Sequence, residues 1–125
     1  MEKRSALNWF EIPVTDMARA QAFYEKLLAT SIRREAIGEN ELGVFGYDEA
    51  GVGGCLIAGA TAPRPADRGT MVYLNAGASL DAVLDRLESA GGLLAKHKVE
   101  LPGDMGCFAH IIDTEGNRVG LHAPR

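Results

Sequence analysis

No stretch of this chain approaches the roughly 20 consecutive apolar residues that a membrane-spanning helix needs. The start Met1-Glu2-Lys3-Arg4 leads only into a short apolar run, so the core of a secretion signal is missing and a cytoplasmic location is expected. Lysines and arginines form no cluster or stripe, and the net charge is −4, so the chain has nothing with which to neutralise a phosphate backbone; nucleic acid and membrane are not expected partners. Cysteine is scarce: Cys55 and Cys107 form neither a metal-type nor a redox-type short spacing, and both thiols are expected reduced. Neither Gly53-Gly54 nor Gly91-Gly92 fits a phosphate-cradling glycine motif at the start of a helix, which leaves them turn and bulge roles.

What the 125 residues do contain is enough chain for one core, since a domain of about this size buries roughly two thirds of its unfolded surface. Residues 7–14 alternate, with Phe10, Ile12 and Val14 on one face and Trp9, Glu11 and Pro13 on the other, which predicts a strand. Thr15 or Asp16 then offers an N-cap, and Met17, Ala20, Tyr24, Leu27 and Leu28 recur at helical spacing, so a helix is expected over about 17–28. Strand-like runs follow near 30–37, 41–47 and 52–58, separated by Gly38-Glu39-Asn40 and Asp48-Glu49-Ala50-Gly51. A Pro-rich, charged stretch over about 59–69 reads as a linker.

The same order then begins again. A strand at 70–76 precedes Ser79 as N-cap, a helix with Leu80, Val83, Leu84 and Leu87 on one face, a Gly91-Gly92 stop, and runs near 93–98, 106–112 and 117–122. Asp48 precedes Cys55 by the same offset as Asp113 precedes Gly120, which marks a twofold internal duplication. The expectation is one α+β domain over 1–125: module one at about 7–58 and module two at about 70–123, each βαβββ.

The opening Trp9-Phe-Glu-Ile-Pro-Val-Thr-Asp16, running on to Phe23-Tyr24, and the late hairpin Asp113-Thr-Glu-Gly116-Asn117-Arg-Val-Gly-Leu-His122 together resemble the vicinal oxygen chelate superfamily of glyoxalases, bleomycin-resistance proteins and dioxygenases. The resemblance covers essentially the whole chain. It implies curved mixed sheets around a cavity with helices outside, and a homodimer whose copies combine their modules. It also implies a divalent metal held by one His, Gln or Glu from each first strand and each last strand. Carried onto this chain, the first-strand position is Trp9, seven residues before Asp16, and the last-strand position is Gly120, seven after Asp113. The other two fall near Cys55 and Val72. Of these four only Cys55 has a ligating side chain, soft and isolated, so no metal and no other cofactor is expected.

Strand alternation places Glu11 beside Trp9, and Phe108, His110 and His122 on the face of Gly120. With Asp113 paired to Asn117, His110 lies opposite Gly120 and Phe108 opposite His122, which makes the two histidines diagonal neighbours about 7–8 Å apart. Glu11, His110 and His122 are thus the candidate catalytic residues, as a relocated metal site or as an acid–base set. The plainer reading makes them pocket lining. Trp9, Glu11, Cys55, Val72, Leu74, Phe108, His110 and Gly120 form the candidate ligand-binding set, with Trp9 and Phe108 as flat surfaces for a planar ligand. Cys55 in its apolar run is most simply a small buried side chain. His97 between two lysines reads as solvated, and Arg33-Arg34-Glu35 as an exposed strand edge. Three functions compete: a metal-free dimer that binds or sequesters a small, partly aromatic molecule; a lyase, isomerase or dioxygenase using the relocated residues; and a structural or regulatory dimer module.

Overall fold

Helix starts and strand alternation in this computed structural model, which describes residues 5–125, follow from side chains at particular places in the chain. The lead Met1–Arg4, on which the absence of a secretion signal partly rests, lies outside the described residues. Strand β1 (Trp9–Pro13) runs into Asp16, whose carboxylate accepts the backbone N–H of Arg19 and so caps α1 (Met17–Leu28). The helix buries Met17, Ala20, Phe23, Tyr24 and Leu27. Strands β2 (Ile32–Ile37), β3 (Asn40–Phe45) and β4 (Gly53–Gly59) complete the first module. In the second, β5 (Tyr73–Asn75) leads to α2 (Leu80–Ala90), capped by Ser79 and stopped by Gly91 in the left-handed region at φ 111°. Strands β6 (Leu93–Glu100), β7 (Cys107–Ile112) and β8 (Arg118–Ala123) follow.

Each module forms its own open four-stranded mixed sheet, ordered β1-β4-β3-β2 and β5-β8-β7-β6, with only the β1–β4 and β5–β8 pairs parallel. Helix α1 packs on one face of the first sheet and α2 on one face of the second, and the two helices pack on each other. One continuous apolar core results, running from Ile12, Val14 and Leu56 through Phe23 and Leu27 to Leu80, Ile111 and Leu121. The opposite faces of the two sheets are not closed over a cavity within the chain. No described helix is long and apolar enough to cross a membrane.

A polar lock joins the modules. Buried Asp113, at the β7–β8 turn, accepts the Tyr24 hydroxyl at 2.5 Å, while Asn117 donates to the Pro13 carbonyl at 2.7 Å and to Asp113 at 3.0 Å. Glu115 reaches from the same turn to the start of α1, where it accepts the backbone N–H groups of Thr15 and Asp16 and the Arg19 guanidinium. A motif that reads as hairpin chemistry therefore also holds one module against the other's helix. Sequence reading assigned Tyr24 to an apolar stripe, yet its ring is wholly buried and its hydroxyl finds the one carboxylate within reach.

The predicted strand at 70–76 shrinks to Tyr73–Asn75, and β3 and β4 are each displaced by a residue or so. Cys55 is fully buried, as the plainer reading held; His97 is exposed; Arg33, Arg34 and Glu35 are exposed on the outer strand β2.

Candidate functional site

The sheet faces turned away from the helices carry most of the candidate residues. On the second sheet, residues of β5, β7 and β8 alternate so that Leu74, Cys107, Ala109, Ile111, Val119 and Leu121 enter the core. Tyr73, Phe108, His110, Gly120 and His122 then share the open face. His110 pairs with Gly120 and Phe108 with His122, so the two histidines are diagonal neighbours in the register expected from the turn.

His110 is held at both ring nitrogens. Arg118, diagonal to it on β8, donates to Nδ1 at 3.1–3.2 Å, and the Tyr73 hydroxyl lies 2.7 Å from Nε2. A guanidinium only donates, so Nδ1 must offer its lone pair and the neutral ring carries its proton on Nε2, pointing at Tyr73. Burial first, then the positive charges of Arg118 and Lys96, press the His110 pKa below its ordinary value and favour the neutral ring that the Arg118 contact also requires. Tyr73, Phe108 and His110 form a cluster of rings with centroids 5.4–5.7 Å apart. His122 is occupied elsewhere, with Nε2 2.7 Å from the Met105 carbonyl.

On the first sheet, Trp9 and Glu11 share the open face with Cys55, which pairs directly with Glu11. Trp9 is 38% exposed and meets Tyr47 edge-on at 6.1 Å. Cys55 belongs to an apolar floor with Leu42, Val44 and Ile57. Burial, then the Glu11 charge, push its thiol pKa up to about 11, which keeps it protonated and a poor nucleophile.

A cleft of about 620 Å³ lies along the seam between the modules, between the stretch from Thr70 to Gly77 and the ends of β3 and β4, with Phe10, Phe45, Val72 and Leu74 among its walls. The ligand-binding set expected from the sequence is therefore split. Val72 and Leu74 point to the helix side and line the seam, whereas Trp9, Glu11, Phe108, His110 and Gly120 lie on the open sheet faces. Glu11 does not join His110 and His122 within the chain: it stands on the other sheet, and no group of three or more His, Cys, Asp or Glu among the described residues is arranged to hold a metal.

The internal repeat needs a correction of register. Trp9 pairs with Gly53 and Tyr73 with Gly120, so the module-two counterpart of Trp9 is Tyr73, not Val72, and the module-one counterpart of Gly120 is Gly53, not Cys55. The β5–α2 connection is one residue shorter than its counterpart, tightened by the Asn75 side chain accepting the Gly77 N–H where φ is +83°. One residue of slip moves a side chain to the other face. From the turn aspartate to the corresponding strand position, module one has two residues fewer (Asp48 to Gly53) than module two (Asp113 to Gly120), which keeps the face but displaces the position.

The four positions at which a superfamily metal would be held are thus Trp9, Gly53, Tyr73 and Gly120. A Cβ built on Gly120 would fall 2.4 Å from the Tyr73 ring, and one on Gly53 would fall 2.3 Å from the Tyr47 ring. Aromatic rings fill the space that ligating side chains would need, in both modules alike. These residues do not fit a divalent ion. Tyr73, Tyr47 and Arg118 were missed from sequence; the alternation of Val72, Leu74 and Ala76 into the core was the available signal for Tyr73.

Comparisons with known proteins agree with this architecture. The family model described as Glyoxalase/Bleomycin resistance protein/Dioxygenase superfamily matches residues 6–121. Among solved structures, TnmS3, an antibiotic-binding protein from Streptomyces sp. CB03234, is 22% identical with a TM-score of 0.71, all of each chain being covered. FosX, a fosfomycin resistance protein from Listeria monocytogenes, is 16% identical with a TM-score of 0.65, covering 97% of this chain and 94% of that one. A glyoxalase I mutant from Zea mays is 19% identical with a TM-score of 0.69; 94% of this chain is covered, and it spans about half, 46%, of the maize chain. At these identities the likeness shows the fold. No curated protein matches the chain.

Proposed function

The chain belongs to the Glyoxalase/Bleomycin resistance protein/Dioxygenase superfamily, and from that membership we propose that it is a metal-independent protein that binds a small, partly aromatic molecule. The observation that carries this reading is the replacement of ligating side chains by rings, Tyr73 over Gly120 and Tyr47 over Gly53. A face built from Tyr73, Phe108 and His110, with Trp9 of the other sheet and Tyr47 of the loop after β3, suits stacking on a flat ligand.

We further propose that the working form is a homodimer in the cytoplasm. The faces turned away from the helices leave Trp9, Tyr73 and Leu93 exposed as large apolar or amphipathic side chains, although Cys55 and its apolar neighbours on the first sheet are buried. A second copy that sets its first sheet opposite this chain's second would bring Glu11 toward the histidines and enclose a ligand. Two buried, unpaired thiols suit a reducing compartment.

Screening aromatic metabolites and glycopeptide drugs tests the reading, with Trp9 emission and thermal melting as readouts. A ligand at a hundredfold excess over its dissociation constant adds about 2.7 kcal/mol of stability. If nothing in the screen changes emission or melting, the binding reading is wrong. A second reading is favoured by the Tyr73–His110 contact, a hydroxyl bonded to a neutral imidazole: acid–base turnover of the bound molecule. Product appearing on incubation, and lost in His110→Ala, separates the two.

A further inference from the structure

Tyr73 is more than a ring that fills the place of a metal ligand. The Arg118 guanidinium takes the lone pair of His110 Nδ1, which leaves Nε2–H to donate to the Tyr73 oxygen. That oxygen, having accepted from His110, keeps its own proton free, and no other group bonds to it among the described residues. A chain of donors therefore runs in one direction, from a permanent positive charge through a neutral ring to a phenol O–H on the open face. Each bond in such a chain polarises the next, so the last O–H is a stronger donor than an isolated phenol. Around it stand the edges and faces of Phe108 and His110, and Tyr73 itself is half exposed.

We propose that Arg118, His110 and Tyr73 form a directional hydrogen-bond relay whose terminal O–H recognises an acceptor oxygen, of the aryl ketone or quinone carbonyl class, on the edge of a planar aromatic ligand. This rests on the small-molecule-binding reading and narrows it to a ligand chemistry. Tyr73 is the contact residue; His110 and Arg118 are positioning residues that set the direction of its proton.

Two probes of the same shape test it: 9-fluorenone carries a carbonyl where fluorene has a methylene. Titration of the full-length protein, followed by 1H–15N amide shifts, gives both the affinity and the place of binding. The expected result is about tenfold tighter binding of fluorenone, with shifts centred on Tyr73, Phe108 and His110. Tyr73→Phe should erase the preference, so that fluorenone and fluorene bind alike. Arg118→Met should reduce it to about threefold, and long-range 1H–15N spectra of the imidazole should show His110 protonated on Nε2 in the parent protein and a tautomer mixture in the variant. A merely structural role for Arg118 would leave the tautomer as it was.

The failures are distinct. Neither probe binding would overturn both this proposal and the aromatic-ligand reading beneath it. Equal binding of the two probes, or a preference that survives Tyr73→Phe, would overturn the relay alone, as would an Nδ1-protonated His110 in the parent protein.

Discussion

Burial of Glu115 at the start of α1 ties stability to pH. Burial alone would raise its pKa, but hydrogen bonds from Arg19, the Asp16 N–H, the Thr114 hydroxyl and the Thr15 N–H outweigh it and bring it to about 2, with the side chain fully buried. A folded pKa below the unfolded one means that this contribution is present above about pH 4.5 and is lost as pH falls toward 2. Glu115→Gln is expected to cost about 2 kcal/mol at pH 7 by urea unfolding, with parent and variant converging near pH 2. Tyr24→Phe should cost about 1–3 kcal/mol, because Asp113 stays buried after losing a donor. His110 also has a depressed pKa, so its neutral form is favoured by folding. Its contribution is present above about pH 6.5 and is lost on acidification, and Arg118→Ala should raise its titration midpoint as read by NMR.

Among the elements, α1 ends on Ala29 in the left-handed region, φ 51°, where a Cβ is strained and glycine is not. Ala29→Gly is therefore expected to stabilise the protein by about 0.5–1 kcal/mol in a urea titration, an uncommon direction for a change to glycine. In strand β8 the opposite holds. A methyl group at Gly120 would sit within the Tyr73 ring, at a part of the side chain close to the backbone, so Gly120→Ala should displace the ring and cost about 1–3 kcal/mol. The same substitution should separate Tyr73 from His110, which would appear as a changed His110 Nε2 shift in imidazole spectra, while Arg118 keeps the tautomer.

For the whole molecule, the fused core and the open sheet faces make two expectations. Stripped of metal by a chelator and then offered Ni²⁺, Mn²⁺, Fe²⁺, Zn²⁺ or Co²⁺ at a hundredfold excess, the protein should melt at an unchanged temperature, whereas specific binding would add about 2.7 kcal/mol, or several degrees. A shift that vanishes in His110→Ala or His122→Ala would instead point to a metal gathered across two copies. Sedimentation at micromolar concentration should show a dimer; a monomer would leave the aromatic faces uncovered and would remove Glu11 from the neighbourhood of the histidines.

Much of this was legible locally. A cap at Thr15 or Asp16, Ser79 as the second cap, Gly91 as a stop, the alternation of β1, β7 and β8 and the diagonal placement of His110 and His122 all depend on residues a few positions apart, where spacing alone decides which way a side chain points. The Tyr73–His110 and Tyr24–Asp113 contacts span 37 and 89 residues, and whether they form depends on loop lengths that no periodicity reveals. One residue fewer between β5 and α2 turned Val72 inward and Tyr73 outward. By itself the sequence determined two βαβββ modules, their caps and their faces, because those are set by local spacing. The tertiary structure decided which side chains meet, because strand pairing turns a one-residue difference in a loop into a change of face.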